Sequence, residues 1–179
     1  MNQTIFNFFG MNETWSIITD ILLTIAILVL GVFAFLGLIQ WIQRKNIMKV
    51  DKELLFMLPS LVLMLAIYVF FMKVWIINYR PILVDGIAEP SFPSSHVMAT
   101  TTILLMAIKA LPKYIENKRV RIILSIAMVV VIFAVAFGRM ASGMHWFTDV
   151  LGGVIFGWVL SSLYQLLLVK FGKEKEKDE

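Results

Sequence analysis

The sequence predicts an all-α fold, a polytopic membrane helical bundle of about five transmembrane helices with an N-terminal interfacial helix ahead of them. Three observations carry that prediction. Of the 179 residues 60% are hydrophobic and the mean hydropathy is +0.86, too apolar for a soluble domain. Several segments reach the roughly 20 apolar residues that cross a hydrocarbon core of about 30 Å. Threading those segments through a membrane puts thirteen of the sixteen lysines and arginines on one side.

Residues 1–16 contain Phe6, Phe8, Phe9 and Trp15 but no Lys or Arg. Aromatic side chains without a basic leading region suit an interfacial helix at the outer leaflet better than a signal peptide. The glycosylation sequons at Asn2 and Asn12 are short enough to recur by chance and carry no weight. The membrane-embedded domain covers 17–170, with predicted crossings at Ile17–Ile42, Leu54–Tyr79, His96–Tyr114, Val120–Gly138 and Trp146–Val169. Thr100, Thr101, Thr102 and Lys109 interrupt the third crossing, so its polar face is expected to point into the bundle. In the fifth, Gly153 and Gly157 form a small-xxx-small pair suited to close helix packing. Residues 171–179 read as a solvated cytoplasmic tail of alternating charge.

The charges orient the chain. Arg44, Lys45, Lys49 and Lys52 follow the first crossing, Lys109, Lys113, Lys118, Arg119 and Arg121 surround the end of the third, and Lys170, Lys173, Lys175 and Lys177 lie at the end of the fifth and beyond. Positive loops stay in the cytoplasm, so the loops after the second and fourth crossings are expected outside. The remaining cations, Lys73, Arg80 and Arg139, fall on that outer face together with His96, His145 and Asp149. A pI near 9.4 thus records topology and does not imply a nucleic-acid partner. The absence of cysteine excludes disulfides, thiol nucleophiles and thiolate metal sites. Two histidines and an aspartate in H-x3-D spacing fit catalysis better than a closed zinc tetrahedron, so neither metal nor cofactor is expected.

Three outer clusters carry chemistry. Lys73 and Arg80, seven residues apart, would share one helix face about 10 Å apart along its axis, with Pro81 ending the helix. Snorkelling to headgroups is the bland alternative for either cation. Ser94 or Ser95, after Pro93, reads as the N-cap of the third crossing, where free backbone N–H groups attract anions. An imidazole there, His96, could pass a proton to a group leaving such an anion. If the fifth crossing starts near His145, Asp149 lies one turn on and can fix the imidazole tautomer, leaving the other nitrogen free to attack. A structural His–Asp pair is the alternative.

Read in order, these clusters form K-x6-RP, PSxH and R-x5-H-x3-D. This pattern resembles the type 2 phosphatidic acid phosphatase superfamily, which also holds bacterial acid phosphatases and vanadium haloperoxidases. The likeness covers about 80 residues from Lys73 to Asp149 and has two departures: Ser95 stands where the family usually has glycine, and Gly138 where it has serine. The family's usual six spans are also reduced to five. The resemblance implies that His145 is the nucleophile, forming a phosphohistidine, with Asp149 orienting it and His96 protonating the leaving oxygen. It further implies that Lys73, Arg80, Arg139, Ser94 and the backbone near Ser95 hold the phosphoryl oxygens, without a metal.

The expected activity is hydrolysis of a membrane lipid phosphate at the external leaflet, with undecaprenyl diphosphate the first substrate considered. Phosphatidylglycerophosphate, phosphatidate and lipid A phosphate fit nearly as well. A lipid phosphotransferase and a non-catalytic lipid-binding or transport protein are the competing readings. The sequence leaves oligomeric state open.

Overall fold

The structure, a computed structural model, describes residues 1–84 and 86–172; the tail expected over 171–179 lies almost wholly outside them. The elements are α1 (Asn2–Phe9), α2 (Glu13–Arg44), a 3-10 turn (Ile47–Lys49), α3 (Lys52–Leu55), α4 (Met57–Val69), α5 (Ser95–Tyr114), α6 (Lys118–Ala141) and α7 (Phe147–Gly172). A π turn, Phe70–Val74, continues α4. Five runs are long and apolar enough to cross a membrane: α2, α3 through the π turn, α5, α6 and α7. This is the all-α bundle the sequence predicts.

Each helix starts and stops for local reasons. α6 opens at Asn117, whose carboxamide oxygen accepts from the Arg119 and Val120 N–H groups. α2 begins at Glu13, ahead of the predicted Ile17, and ends where Lys45 turns left-handed at φ 51°. The second crossing stops at Val74, short of the predicted Tyr79. The segment to Arg80 is instead extended, bridging Tyr79 to Pro90. Lys73 and Arg80 therefore do not share a helix face. Trp75 to Tyr79 is as apolar as a crossing, so hydropathy runs on through it, but its backbone bonds to a loop.

α5 is the central helix, packed against α7, α6, α2 and α4. Its most apolar stretch is 61% buried inside the protein, against 11% for α2 and α6. Thr100, Thr101 and Thr102 are buried there, which accounts for the low hydropathy of this crossing: it faces protein, not lipid. Contact with α7 is close because α7 is glycine-lined. A Cβ on Gly153 would stand 2.9 Å from the Ser94 carbonyl oxygen, and one on Gly157 2.6 Å from Thr101 Cβ. This approach brings the Ser94–His96 turn against the start of α7.

At the opposite end, Asp51 clasps the turn after α2. It accepts from Gln40 Nε2 at 2.8 Å, from Arg44 Nη1 at 3.0 Å and from the Tyr114 hydroxyl at 3.2 Å. Burial alone would raise its carboxyl pKa, but the bonds from Gln40 and Arg44 and the charges of Arg44 and Lys113 hold it below the usual carboxylate value. Arg44, Lys49, Lys52 and Lys113 gather around one pocket at this end. The two cationic loops are thus neighbours, far along the bundle from the histidines.

Candidate active site

The site forms where four elements meet: the loop after the π turn, the N-terminus of α5, the C-terminus of α6 and the turn leading into α7. Gly143, at φ 71° in the left-handed region, makes that last turn. α1 covers it, with Phe6 against Trp146 at 5.7 Å between ring centroids and Asn2 donating to Thr148 Oγ1 at 2.9 Å.

His145 is the pivot. Its ring is buried, and Nδ1 lies 3.1 Å from the Ser91 carbonyl oxygen. A carbonyl only accepts, so Nδ1 carries the proton and Nε2 holds a lone pair. That Nε2 is buried with no hydrogen-bond partner. Burial, reinforced by the Arg139 and Arg80 charges and opposed by Asp149, lowers the His145 pKa below the ordinary imidazole value. The ring is therefore neutral and nucleophilic near pH 7.

Asp149 stands 3.7 Å from His145 Nδ1, too far for a hydrogen bond. The sequence expectation that it accepts from the ring directly is corrected here, because α7 starts at Phe147 and leaves His145 off the helix. Asp149 instead anchors the surroundings. Its carboxylate accepts from Asn78 Nδ2 at 2.9 Å, from the Trp146 N–H at 2.9 Å and from the Ser91 hydroxyl. The Trp146 bond is one half of a capping box, in which the third residue of α7 reaches back to the backbone N–H of the residue before its start. Ser91 then bridges carboxylate and imidazole, donating through its hydroxyl and accepting through its carbonyl.

The cations are distributed unequally. Arg139 is buried, donating to Thr19 Oγ1 at 3.2 Å and lying 3.4 Å from Asp20. Arg80 is held by Glu89, with the Arg80 N–H bonded to the Glu89 carbonyl at 2.9 Å and Nε 3.1 Å from Oε2. Its Nη1 touches Met144 Sδ at 3.7 Å, next to His145. Lys73 stays outside this network, exposed on the π turn. Ser95 is the first residue of α5 and half-buried. Ser94 occupies the N-cap position, yet its hydroxyl caps nothing and is buried without a partner.

His96 Nε2 lies 2.9 Å from Asp20 Oδ1, and His96 Nδ1 is buried and unpartnered. The unpartnered atoms Ser94 Oγ, His96 Nδ1, Arg139 Nε and His145 Nε2 belong to two bonded groups, Ser94 and His145 joined through Asp149 and Ser91, and His96 and Arg139 joined through Asp20. Buried polar atoms normally find partners, so this set marks a place for a polar ligand, and its two cationic neighbours favour an anion. Among the described residues no three His, Asp or Glu side chains gather as a metal site.

A family model for the PAP2 superfamily matches residues 73–173. The chain belongs to the PAP2 superfamily. Its fold is similar to the crystal structure of a transmembrane PAP2-type phosphatidylglycerolphosphate phosphatase from Bacillus subtilis, with TM-score 0.66 and 22% sequence identity over 97% of this chain and 98% of that one. No curated protein matches significantly. Membership of this family, together with five apolar helices of crossing length, makes the protein a multi-pass membrane phosphatase.

Family membership sharpens one departure. A Cβ at Gly138 would lie 2.5 Å from Thr19 Cγ2 and 3.0 Å from the Trp15 ring, so the usual PAP2 serine has no room. Thr19 instead supplies a hydroxyl to Arg139 from α2. Gly138→Ser is expected to overpack this contact and cost about 1–3 kcal/mol, read as a lowered melting temperature without gain of activity. A serine variant as stable as the wild type would mean that α2 yields freely.

The residues the sequence reading missed are Thr19, Asp20, Asn78 and Ser91. For Asp20 a signal was present, because an ionisable side chain in an apolar crossing is a functional candidate by default.

Proposed function

We propose that this protein is a metal-independent lipid phosphatase that works through a phosphohistidine at His145. The observation that carries the reading is a buried imidazole with Nδ1 bonded to the Ser91 carbonyl and Nε2 free, flanked by Arg80 and Arg139. In the first step the Nε2 lone pair forms an N–P bond and the P–O bond to the lipid breaks. The leaving oxygen keeps that electron pair and takes a proton from His96. Arg80, Arg139, Ser94 and the N–H groups at the start of α5 meet the charge spread over the phosphoryl oxygens. Lys73, exposed on the π turn, would reach only the outer edge of such a group. Water then cleaves the N–P bond and releases phosphate.

Among substrates we place phosphatidylglycerophosphate ahead of undecaprenyl diphosphate, because the structure similar to this one over 97% of the chain is that of a phosphatidylglycerolphosphate phosphatase. Phosphate release from these two lipids, phosphatidate and lipid A phosphate, measured in detergent with EDTA present, tests the reading. Turnover is expected with EDTA. Binding without turnover of any lipid would overturn it in favour of a lipid-binding protein, and transfer of label to a second lipid would make the protein a phosphotransferase.

The site is assigned to the extracytoplasmic face and the cationic end to the cytoplasm, on the asymmetry of Lys and Arg. The chain has no cysteine, so single cysteines report sidedness cleanly. Ala88→Cys is expected to react with an impermeant maleimide in intact cells and Lys49→Cys to be protected; the reverse pattern would invert the topology.

A further inference from the structure

We infer that Asp20 is a positioning residue for His96, holding one ring nitrogen so that the opposite one delivers the proton to the leaving oxygen. The inference rests on the phosphatase reading above and adds to it a group from outside the three motifs. Asp20 lies on α2, 76 residues from His96 in sequence. Its Oδ1 is 2.9 Å from His96 Nε2 and 3.4 Å from Arg139 Nη1. A carboxylate accepts from a ring N–H, so this contact assigns a proton to Nε2. The nitrogen left over, Nδ1, is buried and unpartnered.

The two histidines are therefore held in opposite senses. The Ser91 carbonyl fixes Nδ1–H of His145 and leaves a lone pair for attack. At His96 burial and the Arg139 charge oppose the doubly protonated ring that an acid requires, and the partner, a full negative charge, is what offsets them. The groups facing His96 are Asp20 from α2, Arg139 from α6 and His145 from the turn before α7, and Asp20 alone among them is negative. When the P–O bond breaks, Nδ1–H passes its proton to the leaving oxygen, and the ring remains as the neutral Nε2–H form still bonded to Asp20. Asp20 touches Arg139 as well, but the preceding residue, Thr19, also accepts from Arg139 Nη1, so the phosphate clamp keeps a partner on α2 when Asp20 is replaced.

The test exploits the need for that proton. An alkyl oxygen leaving from a lipid phosphate requires it, whereas nitrophenolate leaves as the anion. Wild type, Asp20→Ala and Asp20→Asn are compared on both substrates by kcat/KM, which reports steps up to departure of the leaving group. Asp20→Ala is expected to lose about tenfold or more on the lipid and no more than about threefold on nitrophenyl phosphate. Asp20→Asn, which keeps an acceptor oxygen without the charge, is expected to fall between. Nitrophenyl phosphate turnover in the same preparation shows that the variant is folded. Equal losses on both substrates would make Asp20 a support for Arg139 or for folding and overturn the inference. A gain on both would make it a plug in the phosphate site and overturn it equally. Wild-type protein inert toward every phosphate would instead bring down the phosphatase reading itself.

Discussion

His145→Ala is expected to abolish phosphate release, lowering kcat/KM at least about 10³-fold. The size follows from the chemistry assigned to one atom. Nε2 of His145 is the buried lone pair beside both arginines, and the other ring, His96, is tied to Asp20 and set up to give a proton. Water attacking directly would have to enter a site shaped around an imidazole and would lack a base in the right place. The substitution is tolerable for folding: it leaves the Ser91 carbonyl without its partner, a cost of about 1–3 kcal/mol, while Asp149 keeps all three of its donors. Binding should persist, because Arg80 and Arg139 are untouched, so the variant should still compete for substrate while failing to turn it over. Brief incubation of wild type with labelled substrate should trap an N-linked phosphoryl group, stable in base and lost in acid, that the variant lacks. Turnover at the wild-type rate in His145→Ala would end the phosphohistidine scheme.

Much of this arrangement was legible because membrane solvation writes itself into sequence. α2 and α6 face lipid on most sides, so their composition reports the crossing directly. α5 does not, and its threonines mark a helix surrounded by protein. Motif spacing singled out Ser94, His96, Arg139, His145 and Asp149, and in the structure they fall into two bonded groups, one through Asp149 and Ser91 and one through Asp20. The stretch from Val74 to Arg80 was misread, since hydropathy counts apolar side chains and is blind to whether a backbone N–H bonds four residues back or to Glu89. Asp20, Asn78 and Ser91 were missed for another reason. Their contacts span 76, 71 and 58 residues, and no local periodicity encodes which distant loop will arrive. Gly138 shows the two levels joining: the glycine that stands in place of the family's serine leaves the space that Thr19 occupies.

Asp149→Asn should cost almost as much as loss of the nucleophile, and by a different route. The carboxylate accepts from three donors: Asn78 Nδ2 on Oδ1, and the Ser91 hydroxyl and the Trp146 N–H on Oδ2. A carboxamide has one accepting oxygen. In either orientation its NH2 group faces at least one of these donors, in a residue with no solvent exposure to relieve the conflict. Each buried donor left unpaired costs about 1–3 kcal/mol, so the variant should melt measurably lower. The catalytic loss comes from Ser91. Its hydroxyl is fixed by Asp149 and its carbonyl fixes His145, so freeing one end loosens the tautomer and aim of the ring. A fall of about 10²-fold or more in kcat is expected, with KM little changed, since no phosphate-binding group is touched. Ser91→Ala removes the hydroxyl bridge but leaves the carbonyl, and should give a smaller version of the same defect. Because the two changes cut one chain of contacts, the double variant should lose much less than the product of the single losses. Independent, multiplicative losses would show that Asp149 acts on His145 through the 3.7 Å contact alone, and Ser91 would then have no part in aiming the nucleophile.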